Sequence, residues 1–78
     1  MALDPIEVMA HLRKRGIRVH HAAATPPPAG RPAGVVVYLE QNLAQDRSAA
    51  SIARKLPGAR RVTFAEGTRS IMYLEASP

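Results

Sequence analysis

The first residues of the chain carry apolar side chains at the spacing of an amphipathic helix. Residues 4–7 (DPIE) offer a capping aspartate, a proline suited to the first helical position and an acidic residue in the first turn. Val8, Met9 and Leu12 then form an apolar stripe. Gly16 is a suitable C-terminal stop. We therefore predict a helix between Asp4 and Gly16.

Four further segments have the pattern of β-strands. Residues 17–21 and 61–65 alternate apolar and polar side chains, which is typical of half-buried strands. Residues 35–40 (VVVYLE) are the most β-prone of the chain and predict a central strand. Residues 70–75 (SIMYLE) predict a last strand, which follows turn-forming residues at 66–68.

A second helix is predicted between the second and third strands. Asp46 or Ser48 is suited to cap its N-terminus, and the Pro-Gly pair at 57–58 ends it. Its apolar positions recur at i, i+3, i+4 and i+7. They are Ala49, Ile52, Ala53 and Leu56.

Residues 22–34 (AAATPPPAGRPAG) interrupt the periodic pattern. They hold four of the seven prolines and no large apolar side chain. Proline has no N–H to donate to a sheet, and a segment without apolar bulk cannot offset the entropy of ordering. We predict an exposed, Pro-rich loop over residues 22–34.

The predicted order is α-β-β-α-β-β, and 78 residues allow one core. We predict a single α+β domain over residues 1–78, a two-layer sandwich of a four-stranded antiparallel sheet with two helices on one face. Alternation within the strands assigns one set of side chains to the core. The set is Ile17, Val19, Val35, Val37, Leu39, Val62, Phe64, Met72 and Leu74.

Residues 52–64 (IARKLPGARRVTF) join a helix to a strand through Leu-Pro-Gly. This passage resembles the corresponding one in heavy-metal-associated domains, and residues 35–75 follow the strand, helix, strand, strand order of that family. The resemblance implies a ferredoxin-like fold. Those domains bind metal through two cysteines in the loop before the helix, whereas residues 42–47 hold none and the chain has no cysteine. The metal chemistry does not carry over, and we predict no metal and no cofactor.

The N-terminal helix and strand look like the last helix and strand of a ferredoxin-like domain moved to the front, which is a circular permutation. In that strand order the segments at 35–40 and 70–75 are central neighbours, and those at 17–21 and 61–65 are edges. A repeat of two α-β-β units, exchanged between two chains, is the alternative that the sequence leaves open.

Charge and composition narrow the class of partner. Eleven Lys and Arg residues against six Asp and Glu give a net charge of +5, which favours polyanionic partners. No apolar run approaches the roughly 20 residues that a membrane span needs, and no segment resembles a signal peptide. We expect a cytoplasmic protein without a membrane partner.

Both tyrosines are predicted on the sheet face that the helices leave open. Rings on central strands with cations at the edges resemble the stacking platform of RNA-recognition modules, although residues 69–74 lack the glycine- and aromatic-rich signature of those modules. We predict binding of single-stranded RNA or DNA. The predicted binding residues are Tyr38, Tyr73, Arg18, His20, Arg61, Arg13, Lys14 and Arg15.

Both features also have a second interpretation. The basic clusters at 13–18 and 54–61 lie near helix C-termini, where the helix dipole alone favours cations. Val36 and Ile71 are predicted beside the tyrosines, and an apolar centre with a charged rim is typical of a protein interface. The alternative function is therefore a protein-interaction module: a homodimer, an adaptor or a small inhibitor of the kind that mobile elements encode.

Catalysis is not predicted for this chain. Its sequence has no nucleophile-elbow glycines, no glycine-rich phosphate loop and no paired acids with the spacing of a cleft. His20 and His21 are adjacent in a predicted strand, so their side chains are expected on opposite faces and should not chelate one ion. We predict a binding protein rather than an enzyme.

Overall fold

The computed structural model describes residues 3–25, 34–40, 45–65 and 69–76. Within these ranges the helices and strands follow one another in the predicted order α-β-β-α-β-β. They are α1 (Pro5–Lys14), β1 (Val19–Thr25), β2 (Gly34–Leu39), α2 (Asp46–Arg54), β3 (Ala59–Phe64) and β4 (Ile71–Ala76).

The four strands form one antiparallel sheet in the order β1-β2-β4-β3, with both helices packed on one face. This confirms the predicted fold class. Strands β2 and β4 are the central pair, and β1 and β3 are the edges. Because β2 and β3 each run antiparallel to β4, they are parallel to one another, and α2 makes the crossover between them.

Helix α1 begins as its sequence predicts. The Oδ1 atom of Asp4 accepts a hydrogen bond from the backbone N–H of Ile6 at 2.9 Å, and Pro5 occupies the first turn, where a missing N–H costs nothing. The buried side of the helix consists of Val8 and Leu12. Ile6, by contrast, is 71% exposed.

The C-terminus of α1 closes in a Schellman motif. Gly16 adopts a φ of +87°, its N–H donates to the carbonyl of Arg13 at 3.1 Å, and the N–H of Ile17 donates to the carbonyl of Leu12 at 3.0 Å. Leu12 and Ile17 are both buried in the core. The turn therefore sends the chain from the helix directly into the sheet layer.

Helix α2 begins one residue earlier than a capping role for Asp46 would require. Asp46 is the first helical residue, and the preceding Gln45 occupies the cap without a side-chain capping bond. The Gln45 amide instead binds Arg18, with Oε1 accepting from its backbone N–H at 2.9 Å and Nε2 donating to its carbonyl at 2.8 Å. Gln45 thereby ties the start of α2 to the segment before β1.

The buried face of α2 is built from alanines. Ala49 and Ala53 are fully buried and Ala50 nearly so, whereas Ile52 and Leu56 pack on the core only in part. Side chains this small let a helix lie close to the sheet beneath it.

The predicted core is confirmed at eight of nine strand positions, and Phe64 is partly buried against it. The buried residues at these positions are Ile17, just before β1, and the strand residues Val19, Val35, Val37, Leu39, Val62, Met72 and Leu74.

The predicted loop over residues 22–34 is wrong at both ends. Residues 22–25 extend β1, where Ala22 pairs with Val37 and Thr25 with Gly34, the first residue of β2. Alanine has a weak preference for strands, but a β-rich partner strand supplies the hydrogen bonds and apolar contacts that override it. Residues 26–33, which include the four prolines, and the predicted turn at 66–68 lie outside the described residues.

Neither α1 nor α2, the two helices of the described ranges, has the length and hydropathy of a membrane span.

Gly34, the first residue of β2, lies close to the backbone of β4. A Cβ atom at this position would collide with the carbonyl oxygen of Leu74 in the neighbouring strand β4. Gly34 also pairs with Thr25 of β1 and Glu75 of β4, so strands flank it on both sides. A larger residue here must displace backbone rather than a flexible side chain.

We expect Gly34→Ala to lower the free energy of unfolding by about 2–3 kcal/mol, because overpacking that displaces backbone costs this much. Urea unfolding followed by circular dichroism measures the change. The comparison variant is Gly16→Ala, whose added Cβ meets no atom within 4 Å. Its free energy of unfolding should fall by only roughly 1–2 kcal/mol, because an alanine at this position must adopt a left-handed φ. An unchanged midpoint for Gly34→Ala would contradict the close approach.

Candidate functional site

The face of the sheet opposite the helices is centred on four side chains from the two middle strands. Val36 of β2 lies opposite Tyr73 of β4, and Tyr38 of β2 lies opposite Ile71 of β4. These residues are on the face predicted for them, since their strand neighbours on either side point into the core. We call this surface the open face.

Exposure differs sharply within this group. Tyr38 is 39% and Tyr73 43% exposed, whereas Val36 is only 7% exposed. Val36 belongs to the face opposite the helices, and its cross-strand partners are Ala23 and Tyr73. The open face thus has a small apolar floor from which two aromatic rings project into solvent.

A β-bulge at His20 changes the start of β1. Val19 pairs with Leu39 and His21 with Tyr38, so His20 is an extra residue on the β1 side. His20 and His21 are consequently both exposed. The prediction that they point to opposite faces is wrong, because alternation fails at a bulge.

The ring of His21 lies against that of Tyr38. Their centroids are 6.0 Å apart and their planes differ by 24°, which is an offset stacked arrangement. His21 is not among the predicted binding residues, because strict alternation would have placed its side chain on the face away from the tyrosines. Across the described ranges, no group of three or more His, Cys, Asp or Glu side chains is arranged to hold a metal.

A second bulge, at Arg60, occurs at the start of β3. Ala59 pairs with Ala76 and Arg61 with Glu75, which leaves Arg60 as the extra residue. Arg60 and Arg61 are both exposed. The two edge strands therefore each begin with an irregularity that presents two consecutive polar side chains to solvent.

The strand register aligns these features along one diagonal of the sheet. Arg61 lies opposite Glu75, and Tyr73 is two residues from Glu75 on the same strand. Tyr38 is likewise two residues from Val36, the partner of Tyr73. His21 is directly opposite Tyr38. We call the line Arg61, Tyr73, Tyr38, His21 the diagonal track.

An open groove lies at the His21 end of this track, and we call it the corner groove. The histidine pair and Tyr38 form part of its wall, and Glu40 contributes its carboxylate. Among the described residues, its lining is His20, His21, Tyr38, Leu39, Glu40, Ser70 and Ile71.

A second groove adjoins the corner groove through Glu40, which lines both. Arg13 and Arg18 line this second groove. The backbone N–H of Glu40 donates to the carbonyl of Arg18 at 3.2 Å. Arg18 therefore lies at the sheet edge beside the corner groove, close to its predicted position.

The predicted cations of α1 are in the other layer of the molecule. Arg13 Nη2 donates to the carbonyl of Val19 at 2.8 Å, which ties the helix to the first residue of β1. Arg15 Nη1 donates to the carbonyl of His11 at 3.2 Å, and Lys14 is exposed. Two of these three cations thus bind their own chain, and Arg13 alone reaches toward the sheet corner.

Arg69 was not singled out from the sequence, and its exposed side chain contacts residues of α2 and β3. Its Nη1 lies 3.3 Å from Oδ2 of Asp46 at the start of α2, and its guanidinium carbon lies 5.5 Å from the centre of the Phe64 ring. No local pattern marks this arginine, because its partners are distant in sequence. It fixes the segment that leads into β4 beside the corner groove.

Comparison of the chain with protein-family models, with curated proteins and with solved structures gave no match. The function has to be argued from the site itself.

His11 is the one histidine placed between the helices. Its Nε2 atom is buried without a hydrogen bond, and its Nδ1 atom lies 3.2 Å from Arg15 Nη1. Burial, together with the positive charge of Arg15, lowers the pKa of His11 below its ordinary value of 6.5, and the backbone of Ile52 opposes that shift only in part. The folded chain therefore favours the neutral ring.

We expect the free energy of unfolding to fall as pH drops from about 7.5 to about 5.5, because in that window the unfolded chain takes up a proton at position 11 more readily than the folded chain. The measurement is urea unfolding at a series of pH values. His11→Gln should flatten the dependence, whereas His20→Gln should leave it. A wild-type slope that persists in His11→Gln would assign the effect to another group.

Proposed function

We propose that the protein binds single-stranded nucleic acid across the open face, along the diagonal track. The observation that carries the proposal is the placement of two exposed tyrosine rings at diagonal positions on the two central strands, with the ring of His21 beside one of them. Such a row of rings suits single-stranded nucleic acid, because successive bases along its charged backbone can stack on successive rings.

Stacking supplies the first part of the binding energy. Diagonal neighbours on adjacent antiparallel strands lie about 7–8 Å apart, so each tyrosine has room for a base of its own. Stacking of a base on an aromatic side chain contributes roughly 1–3 kcal/mol and tolerates any base, since every base has a π-face. The half-exposed rings of Tyr38 and Tyr73 need no rearrangement to be reached.

Cations at the two ends of the track supply the second part. Arg60 and Arg61 stand at one end, and Arg18 and Arg13 lie beside the corner groove at the other. The chain has a net charge of +5, so the long-range field also attracts polyanions. We leave Lys14 and Arg15 out of the proposed site because they belong to the helix layer.

The connectivity supports the same proposal by analogy. We propose that the sheet order β1-β2-β4-β3 derives from a ferredoxin-like domain whose last helix and strand stand at the front of the chain. On that basis β2 and β4 correspond to the central strands that carry stacking aromatics in RNA-recognition modules. The analogy covers the topology and the two tyrosines.

We expect Tyr38→Ile and Tyr73→Ile each to weaken binding of a single-stranded oligonucleotide by roughly 5- to 100-fold, the equivalent of one lost stacking contact. Isoleucine, like tyrosine, is favoured in strands, so the substitution removes the ring without weakening the strand preference. Fluorescence anisotropy with labelled 12-nucleotide RNA and DNA at low salt measures the affinity. Ile6→Ala, which removes exposed apolar area from α1, should leave it unchanged.

The salt dependence of the affinity distinguishes phosphate contacts at the diagonal track from a general attraction of nucleic acid to a basic protein. Arg61→Gln should reduce the slope of log affinity against log salt by about 0.7, the value for one phosphate contact on a single strand. Lys14→Gln removes the same charge from the opposite layer and should leave the slope unchanged. Absence of binding at low salt, or equal affinity in the tyrosine variants, would refute the proposal.

A second candidate, a homodimer that pairs two open faces, is favoured by the balance of charge. Arg61 lies opposite Glu75, and Glu40 adjoins Arg18, so the face itself carries little net charge around its apolar floor. An apolar and aromatic centre with a balanced rim is typical of protein interfaces.

If the open face pairs two copies, light scattering will give the mass of a dimer, and Tyr73→Glu will be a folded monomer. The substitution places a charge on a side chain that is exposed in the single chain, so the monomer should remain stable. Val36 is unsuitable for this test because it is buried. A wild-type monomer at all concentrations would exclude this candidate.

A further inference from the structure

The corner groove combines three kinds of surface that a nucleobase can use. Tyr38 and His21 are aromatic, Ile71 is apolar, and Glu40 is an exposed carboxylate residue. The groove lies where the diagonal track ends, so a strand that follows the track delivers a base to it.

Glu40 is held in place but keeps its acceptor capacity. Its backbone N–H is fixed by the hydrogen bond to the Arg18 carbonyl, and residue 40 directly follows the last residue of β2. The side chain is exposed, and no cation of the described residues lies within 4 Å of its oxygens. An ionised carboxylate offers two oxygens that only accept hydrogen bonds.

The four bases differ in what they offer to a pair of acceptors. Guanine presents two adjacent donors, N1–H and N2–H, on its Watson–Crick edge. Adenine and cytosine each present one amino group beside an acceptor nitrogen, and uracil and thymine present one N–H between two carbonyl oxygens. A carboxylate therefore meets two donors on guanine and at least one repelling acceptor on every other base.

We propose that the corner groove selects guanine, with Tyr38 stacking on the base and Glu40 accepting from its N1–H and N2–H. This inference rests on the proposed nucleic-acid function and gives it a sequence preference. Arg18 and Arg13, on the other side of Glu40, lie where they can meet the phosphate that follows the base. Tyr73 has Glu75 two residues further along its own strand, but Glu75 is half-buried and lies opposite the cation Arg61, so Tyr73 contributes stacking without selection.

The test uses single-stranded 10-nucleotide oligomers of uridine that carry G, A, C or U at one internal position. We expect the guanine oligomer to bind the wild-type chain roughly 5- to 100-fold more tightly than the others, the range for a bidentate base contact. Glu40→Gln keeps the size of the side chain but replaces one acceptor with a donor, so the preference should fall to about 3-fold or less.

Glu75→Gln is the matched control. Glu75 is a second carboxylate of the open face among the described residues, and it lies opposite Arg61 at the far end of the track. The substitution makes the same change in charge, so it should alter the affinity for all four oligomers equally and keep the guanine preference. A loss of preference in Glu75→Gln as well would overturn the assignment to Glu40.

The remaining outcomes distinguish this inference from the function on which it rests. Equal binding of all four oligomers, with weaker binding in Tyr73→Ile, would overturn guanine selection and retain nucleic-acid binding. If no oligomer binds, guanosine monophosphate and uridine monophosphate are titrated while the backbone NMR signals of His21 and Glu40 are followed. If only guanosine monophosphate shifts these signals, guanine selection by the corner groove is retained and the proposed binding of single-stranded nucleic acid is refuted. If neither nucleotide shifts them, both proposals are refuted.

Discussion

The pairing of β2 with β4 is the constraint on which the rest of the molecule depends. Its register directs Val35, Val37, Met72 and Leu74 toward the helices, and the residues between them toward solvent. A slip of one residue would bury the tyrosines and expose the core. The close approach of Gly34 to the Leu74 carbonyl shows how little freedom this register has, because neighbouring strands flank Gly34 on both sides.

Much of this arrangement follows from period and end signals in the sequence. The alternation of apolar and polar residues in the strands predicted which side chains lie on each face of the sheet, and the capping residues of α1 predicted where that helix begins and ends. These predictions hold because one face of the sheet must be covered, and α1 and α2 of the described residues both pack on the same face. The positions of both tyrosines on the open face follow from the same reasoning.

The features that the sequence did not reveal depend on partners distant along the chain. The bulges at His20 and Arg60 have no local marker, and the one at His20 reverses the direction expected for the side chain of His21. Strand β1 continues into an alanine run because β2 supplies its hydrogen bonds. Arg69 contacts Asp46 and Phe64, which lie beside it only in the folded chain. The corner groove is built from these long-range effects, so its residues could be identified only in part.

The strand order also has a kinetic consequence. Strands β1 and β2 are adjacent in the chain, as are β3 and β4, so each outer pair is a hairpin whose loop closes with a small loss of entropy. The central pair must instead form across α2 and β3, and we expect this long-range step to limit the folding rate. When β2 pairs with β4, the side chains of the open face that belong to the two hairpins come to lie side by side. The surface therefore arises together with the hydrophobic core, and an isolated hairpin would present only half of it.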